Sequence, residues 1–185
     1  VDGTKESLPR MTREAIVRFY RTYYHPNNAI LTVVGDISAD ERKTKLLPSL
    51  AKWPKAEIPE ISFKPSFAKE EKTVKIDRGI TQANIIIGQI GVSRDNPDYY
   101  ALTVMNYILG GGGFTSRLVE EIRNKRGLAY SVASFFDPGK YPGSFQIVLQ
   151  TKNASAREAI SVSLQQMERI RKEPVSPKEL EGAKK

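Results

Sequence analysis

Prolines at positions 54, 59 and 65 mean that no long helix can cross the stretch in which they stand. Each proline removes a backbone donor and pushes the residue before it out of the helical region, so residues 52–70 read as an extended linker. The 185-residue chain is thereby divided into a first part at 1–51 and a second at 71–185. Both parts carry apolar residues at regular spacings, the pattern of folded elements rather than of a disordered tail.

In the first part, Thr12 is placed to cap a helix that carries Ile16, Val17, Phe19, Tyr20, Tyr23 and Tyr24. His25-Pro26-Asn27-Asn28 stops it. The apolar run at 29–34 then reads as a strand buried on both faces, and a helix follows from Ala39 to about Leu50. In the second part, Lys72–Asp77 and Gln82–Ile90 read as strands. Asn96-Pro97-Asp98 opens a helix that ends at Gly110-Gly111-Gly112-Gly113, and a second helix spans about Thr115 to Arg126. Gly127 fits a left-handed helix cap. Strands at Ala129–Phe136 and Ser144–Thr151 follow, and Ser155 with Glu158 and Ser176 with Glu179 have the spacing of capping boxes. The last helix runs out at Lys185 without a cap, the pattern expected of a piece of a longer protein.

Composition removes several kinds of chemistry. With no Cys there is no disulfide, thiolate metal site or thiol nucleophile, and with one His, His25, a self-contained catalytic zinc centre is not expected. No apolar run reaches the ~18 residues of a membrane span. The net charge of +8 is spread, since 1–50, 51–95, 96–167 and 168–185 each carry +2. A nucleic-acid binder more often masses its charge with interleaved aromatics, so a non-specific basic module ranks last among the readings. The compartment stays open between periplasm and cytoplasm.

The most distinctive segment runs from Gly110-Gly111-Gly112-Gly113-Phe114-Thr115-Ser116-Arg117-Leu118 to Arg123-Asn124-Lys125-Arg126-Gly127-Leu128-Ala129-Tyr130. It fits neither the P-loop nor the dinucleotide fingerprint. By local sequence alone it is a flexible helix–helix connection, with Arg123 paired to Glu120 and Tyr130 a half-buried strand aromatic. This segment, preceded by Phe19–Ala29 and Val33-Val34-Gly35-Asp36, resembles the pitrilysin/insulinase-type zinc metallopeptidases, which include the mitochondrial processing peptidases. The resemblance covers nearly the whole chain, with 1–51 matching the terminal helix–strand–helix unit of a first domain and 71–185 much of the second.

The resemblance implies an α+β fold, a two-layer arrangement of a sheet covered by helices. It also implies that zinc sits on a His-x-x-Glu-His motif upstream, so this chain holds no metal and needs it from the parent protein or a partner. Arg123 and Tyr130 match the family's Arg and Tyr seven residues apart that hold a bound peptide and support the oxyanion. Gly110, Gly111, Gly112 and Gly113 match its substrate-access segment. The implied partners are a peptide or unfolded polypeptide, an upstream zinc domain or partner subunit, and a second copy in a homodimer, domain-swapped through the first unit. The chain alone is expected to be inactive. The alternative is a non-catalytic recognition or assembly subunit of the same fold. A separate suggestion, read from the residues, is that the strand around Ile85–Gly91 has an edge to which an extended peptide could add.

Overall fold

The structure, a computed structural model, describes residues 3–61, 67 and 70–185, and the chain divides into two units, Val1–Lys64 and Pro65–Lys185. In the first unit, helix α1 (Arg13–Tyr23) is capped as expected, with the Thr12 hydroxyl accepting from the Ala15 N–H at 3.2 Å. Helix α2 (Ala39–Glu41) begins at a capping box between Ser38 and Glu41, passes through a π-helical turn (Arg42–Leu46) and continues as α3 (Leu47–Leu50). None of these helices has a buried residue.

Side-chain-to-backbone hydrogen bonds tie the end of α1 to residues 53–56. Trp53 Nε1 donates to the Tyr24 carbonyl, and Asn27 exchanges two hydrogen bonds with the backbone of Ala56. Residues 29–34 do not form the expected doubly buried strand. Ile30 and Val34 are 97% and 93% exposed, and no described residue pairs with this stretch. An apolar run has strand propensity, but only a neighbouring ladder makes a strand of it.

The second unit is built on a three-stranded antiparallel sheet of β1 (Gln82–Ile90), β2 (Ala129–Asp137) and β3 (Ser144–Lys152), in the order β1-β3-β2. The strand period of two sends Phe145, Ile147, Leu149 and Thr151 of the central strand to one face. Helix α5 (Ala156–Lys172) contributes Ala159 and Val162 to that core. The segment between α4 (Tyr99–Asn106) and β2 contributes Leu109, Leu118 and Ile122. Leu118, Ile122 and Ile147 are fully buried, and each such side chain is worth roughly 1.5–3 kcal/mol relative to exposure. Chain and core thus make an α+β fold with helices packed on a sheet.

Two local expectations fail here. Residues 72–77 form no strand, and Val74 and Ile76 are 65% and 70% exposed; β1 consequently ends the sheet. The Ser155 side chain caps nothing, because a 3-10 turn (Asn153–Ser155) already leads into α5. The other box is real. Helix α6 (Pro177–Lys184) starts with Ser176 and Glu179 exchanging hydrogen bonds.

Candidate functional site

Helix α4 runs on into the glycines, where it is expected to end. Its winding widens into a π-helical turn (Tyr107–Gly111), and a single 3-10 turn (Gly113–Thr115) follows. Residues Arg117 and Leu118 resume helix, and Val119–Asn124 form a second π turn. Widened turns of this kind are uncommon and concentrate at functional sites.

The glycines have distinct reasons to be glycine. A Cβ on Gly110 would lie 2.5 Å from Ser134 Oγ and 2.6 Å from the Ser134 backbone nitrogen, so the helix and β2 meet too closely for any side chain. Asn106 and Ser134 hold this approach with two hydrogen bonds, from Asn106 Nδ2 to the Ser134 carbonyl and from Ser134 Oγ to Asn106 Oδ1. Cβ atoms on Gly111 and Gly112 would also crowd, at 2.7 Å from Asn106 Nδ2 and 2.7 Å from the Tyr107 carbonyl oxygen. Gly113 is different, with φ of +58° and open space around it. A packed joint thus leads into one left-handed pivot, and Phe114 follows directly, 73% exposed.

Three residues beyond the second π turn, the chain reverses at Gly127, whose φ is +60°. The Gly127 N–H donates to the Arg123 carbonyl, and the Leu128 N–H donates to the Ile122 carbonyl, 3.0 and 2.9 Å away. This is a glycine-terminated reversal one residue wider than the usual one, as the π winding requires. Thr151 Oγ1 fixes the far side by donating to the Leu128 carbonyl. Replacing Gly127 by alanine is expected to cost about 1 kcal/mol, because alanine disfavours the left-handed conformation. Urea unfolding followed by far-ultraviolet circular dichroism would measure it.

The reversal delivers the chain into β2 with an irregularity at its first residues. Ala129 pairs with Thr151 while Ser131 pairs with Gln150, so Tyr130 is an extra residue between two ladder positions. Such a bulge re-aims a side chain. Here Ala129 and Val132 both point into the core, and Tyr130 is 83% exposed. The Arg123 guanidinium carbon lies 4.6 Å from the centroid of the Tyr130 ring and 4.9 Å from that of Phe114. The helix end and the strand start therefore bring the two expected residues together.

The other cations of the segment are occupied. Arg117, 9% exposed, donates from Nε and Nη2 to both carboxylate oxygens of Glu179, at 2.6 and 3.0 Å. The Arg117 hydrogen bonds, aided by the Ser176 cap, hold the Glu179 carboxyl at about 2, well below its ordinary 4.5. Glu121 pairs with Lys125 and Arg126, and these hydrogen bonds, Lys125 first, lower its pKa. Glu120, the partner foreseen for Arg123, instead accepts from Asn124 Nδ2. The Arg123 side chain has no hydrogen bond or ion pair among the described residues, and its guanidinium N–H donors are uncommitted.

Local sequence reasoning missed Phe114 and the Arg117–Glu179 pair. Phe114 stands right after the glycine run in the sequence. The pair, by contrast, spans 62 positions and leaves no short-range signal.

The described residues do not fit a zinc centre. The two ring nitrogens of His25 lie 2.9 and 2.7 Å from the Pro54 and Arg21 carbonyl oxygens, so both are engaged as helix-end contacts. Among the described residues no group of three His, Cys, Asp or Glu side chains could hold a metal. No described helix is long and apolar enough to cross a membrane.

Several known proteins are similar to this chain over nearly its whole length. The "Uncharacterized zinc protease YmxG" of Bacillus subtilis is 28% identical over 188 residues, an alignment covering 98% of this chain and 44% of that protein. The "Non-peptidase homolog YmxG" of Helicobacter pylori is 29% identical, with 99% of this chain and 42% of that protein aligned. The crystal structure of a peptidase M16 inactive domain from Pseudomonas fluorescens superposes with a TM-score of 0.88 at 32% identity, over 99% of this chain and 44% of that one. The chain thus spans less than half the length of these relatives. The model of the peptidase M16 inactive domain matches residues 10–185, and the chain belongs to that family.

Proposed function

We propose that this chain is the substrate-holding part of a zinc-dependent endopeptidase, with Arg123 and Tyr130 gripping the backbone of an extended peptide. The observation that carries this reading is the state of Arg123: held over the Tyr130 ring, with no carboxylate partner among the described residues. Its N–H groups donate to a peptide carbonyl, and the Tyr130 hydroxyl donates beside them. Both bonds strengthen as the oxygen gains negative charge, and one such donor is worth roughly 2.7–4 kcal/mol in a water-excluded site. The Gly110–Gly113 segment shapes access to this volume, with Gly113 as its pivot.

Zinc belongs, on this reading, to an upstream domain or a partner subunit. The exposed run that includes Ile30 and Val34 is a surface for that partner, or for a second copy in a swapped homodimer. The competing reading is a recognition or assembly subunit without catalysis. It draws on the name of the Helicobacter pylori relative, a non-peptidase homologue.

Titration of a fluorescent unstructured peptide with the 185-residue chain, read by anisotropy, tests the grip. Arg123→Ala is expected to weaken binding at least tenfold and Tyr130→Phe by about threefold to tenfold, the range of one charged and one neutral hydrogen bond. Unchanged affinity in both variants would remove the reading. The chain alone is expected to show no zinc-dependent proteolysis; chelator-sensitive turnover by it would contradict the account.

A further inference from the structure

Two rings, not one, contact the Arg123 cation. Phe114 sits 4.9 Å from the guanidinium carbon and Tyr130 sits 4.6 Å from it, both strongly exposed. Large exposed aromatics gain little from their position unless something is laid upon them, and a cation over the ring face is one such partner. A ring face attracts the charge without needing a directed N–H bond. The guanidinium is therefore placed while its donors remain available. A long, otherwise unpaired Arg side chain carries about 2 kcal/mol of rotamer entropy, which a ligand must overcome on binding it. Contacts that settle the rotamer beforehand reduce that cost.

We infer that Phe114 is a positioning residue for Arg123: together with Tyr130 it holds the guanidinium in the conformation that receives a peptide carbonyl oxygen. The inference rests on the proposed role of Arg123 and adds a residue to it. The chain path makes Phe114 suited to the task. Gly110 locks the end of the preceding helix against β2, and Gly113, in the left-handed region, turns the backbone so that the next side chain lands over Arg123. Phe114 has no buried packing of its own, so its removal leaves the core intact.

The test is a double-mutant cycle on peptide affinity with the same fluorescent peptide, together with the Arg123 Nε–H resonance of the free chain. In Phe114→Ala the Nε–H signal is expected to lose part of its ring-current displacement. Peptide affinity should fall about threefold to fivefold, the size of a solvent-exposed cation–aromatic contact. Phe114→Tyr should restore both. In the Arg123→Ala background, Phe114→Ala should change affinity by less than a factor of 1.5. An unchanged resonance in Phe114→Ala, or an equal affinity loss in both backgrounds, overturns the inference. If Arg123→Ala lowers affinity and Phe114→Ala does not, the inference falls and the substrate-holding reading stands. If neither variant matters, both fall.

Discussion

Glu179→Gln is expected to destabilise the second unit by about 2–3 kcal/mol at neutral pH, and to remove part of its sensitivity to acid. Arg117 is 9% exposed and its Nη1 already lacks a partner in the structure, so the carboxylate is its only counter-charge among the described residues. The same carboxylate accepts from the Ser176 N–H, and one side chain therefore both caps α6 and fastens that helix to the segment following the glycines. A glutamine keeps the shape and loses the charge. Breaking a buried pair on one side leaves the other charge uncompensated, which is the larger part of the effect.

The sign with pH follows from the depressed carboxyl, about 2 against an ordinary 4.5. A group ionised more readily in the folded state stabilises above its unfolded pKa, and that contribution drains away as protons are added. The unsubstituted chain should lose it between about pH 5 and pH 2, while the Gln variant shows no such loss. Urea midpoints of both proteins at a series of pH values would show the gap closing on the acid side. A gap constant from pH 7 to pH 2 would mean that the pair contributes geometry and not charge.

Gly110→Ala should be as damaging, by about 2–3 kcal/mol, through overpacking rather than charge. The methyl group would meet the Ser134 backbone nitrogen, Ser134 Oγ and, at 2.8 Å, Leu118 Cδ1. A flexible side chain could yield; a strand backbone cannot without breaking its ladder. Alanine's better helix propensity offsets only part of this, up to about 1 kcal/mol. Pulling the helix end from β2 would also strain the Asn106–Ser134 bonds, so amide exchange at β2 should rise in the variant. Gly113→Ala tests the contrast. Its penalty comes from the left-handed backbone alone, about 1–2 kcal/mol, and it should leave β2 exchange unaltered.

Much of the second unit was legible in the sequence because its signals are short-range. The alternation of β3, the Gly127 stop and the Ser176–Glu179 box each need only a few neighbouring residues, and each appears where expected. The family resemblance, through the seven-residue interval between Arg123 and Tyr130, also pointed to two groups that lie together. The reason they meet was not legible, since the bulge at Tyr130 depends on how β2 registers against β3. The glycine run shows the same limit. It reads as slack chain, yet Gly110 is buried because a strand 24 positions later passes within reach of its missing Cβ. Residues 29–34 and 72–77 failed as strands for the converse reason: the propensity is local, but the ladder is not.

The binding of a matched peptide pair tests the central claim most directly. One peptide carries an ordinary amide at its centre, and the other a phosphinate, a tetrahedral anion in the same place. Arg123 and Tyr130 should favour the phosphinate at least tenfold at fixed salt, and Arg123→Ala should erase most of that preference. A preference that survives intact in Arg123→Ala would show that the charge is recognised elsewhere on this cationic chain, and the assignment of these two residues would be wrong.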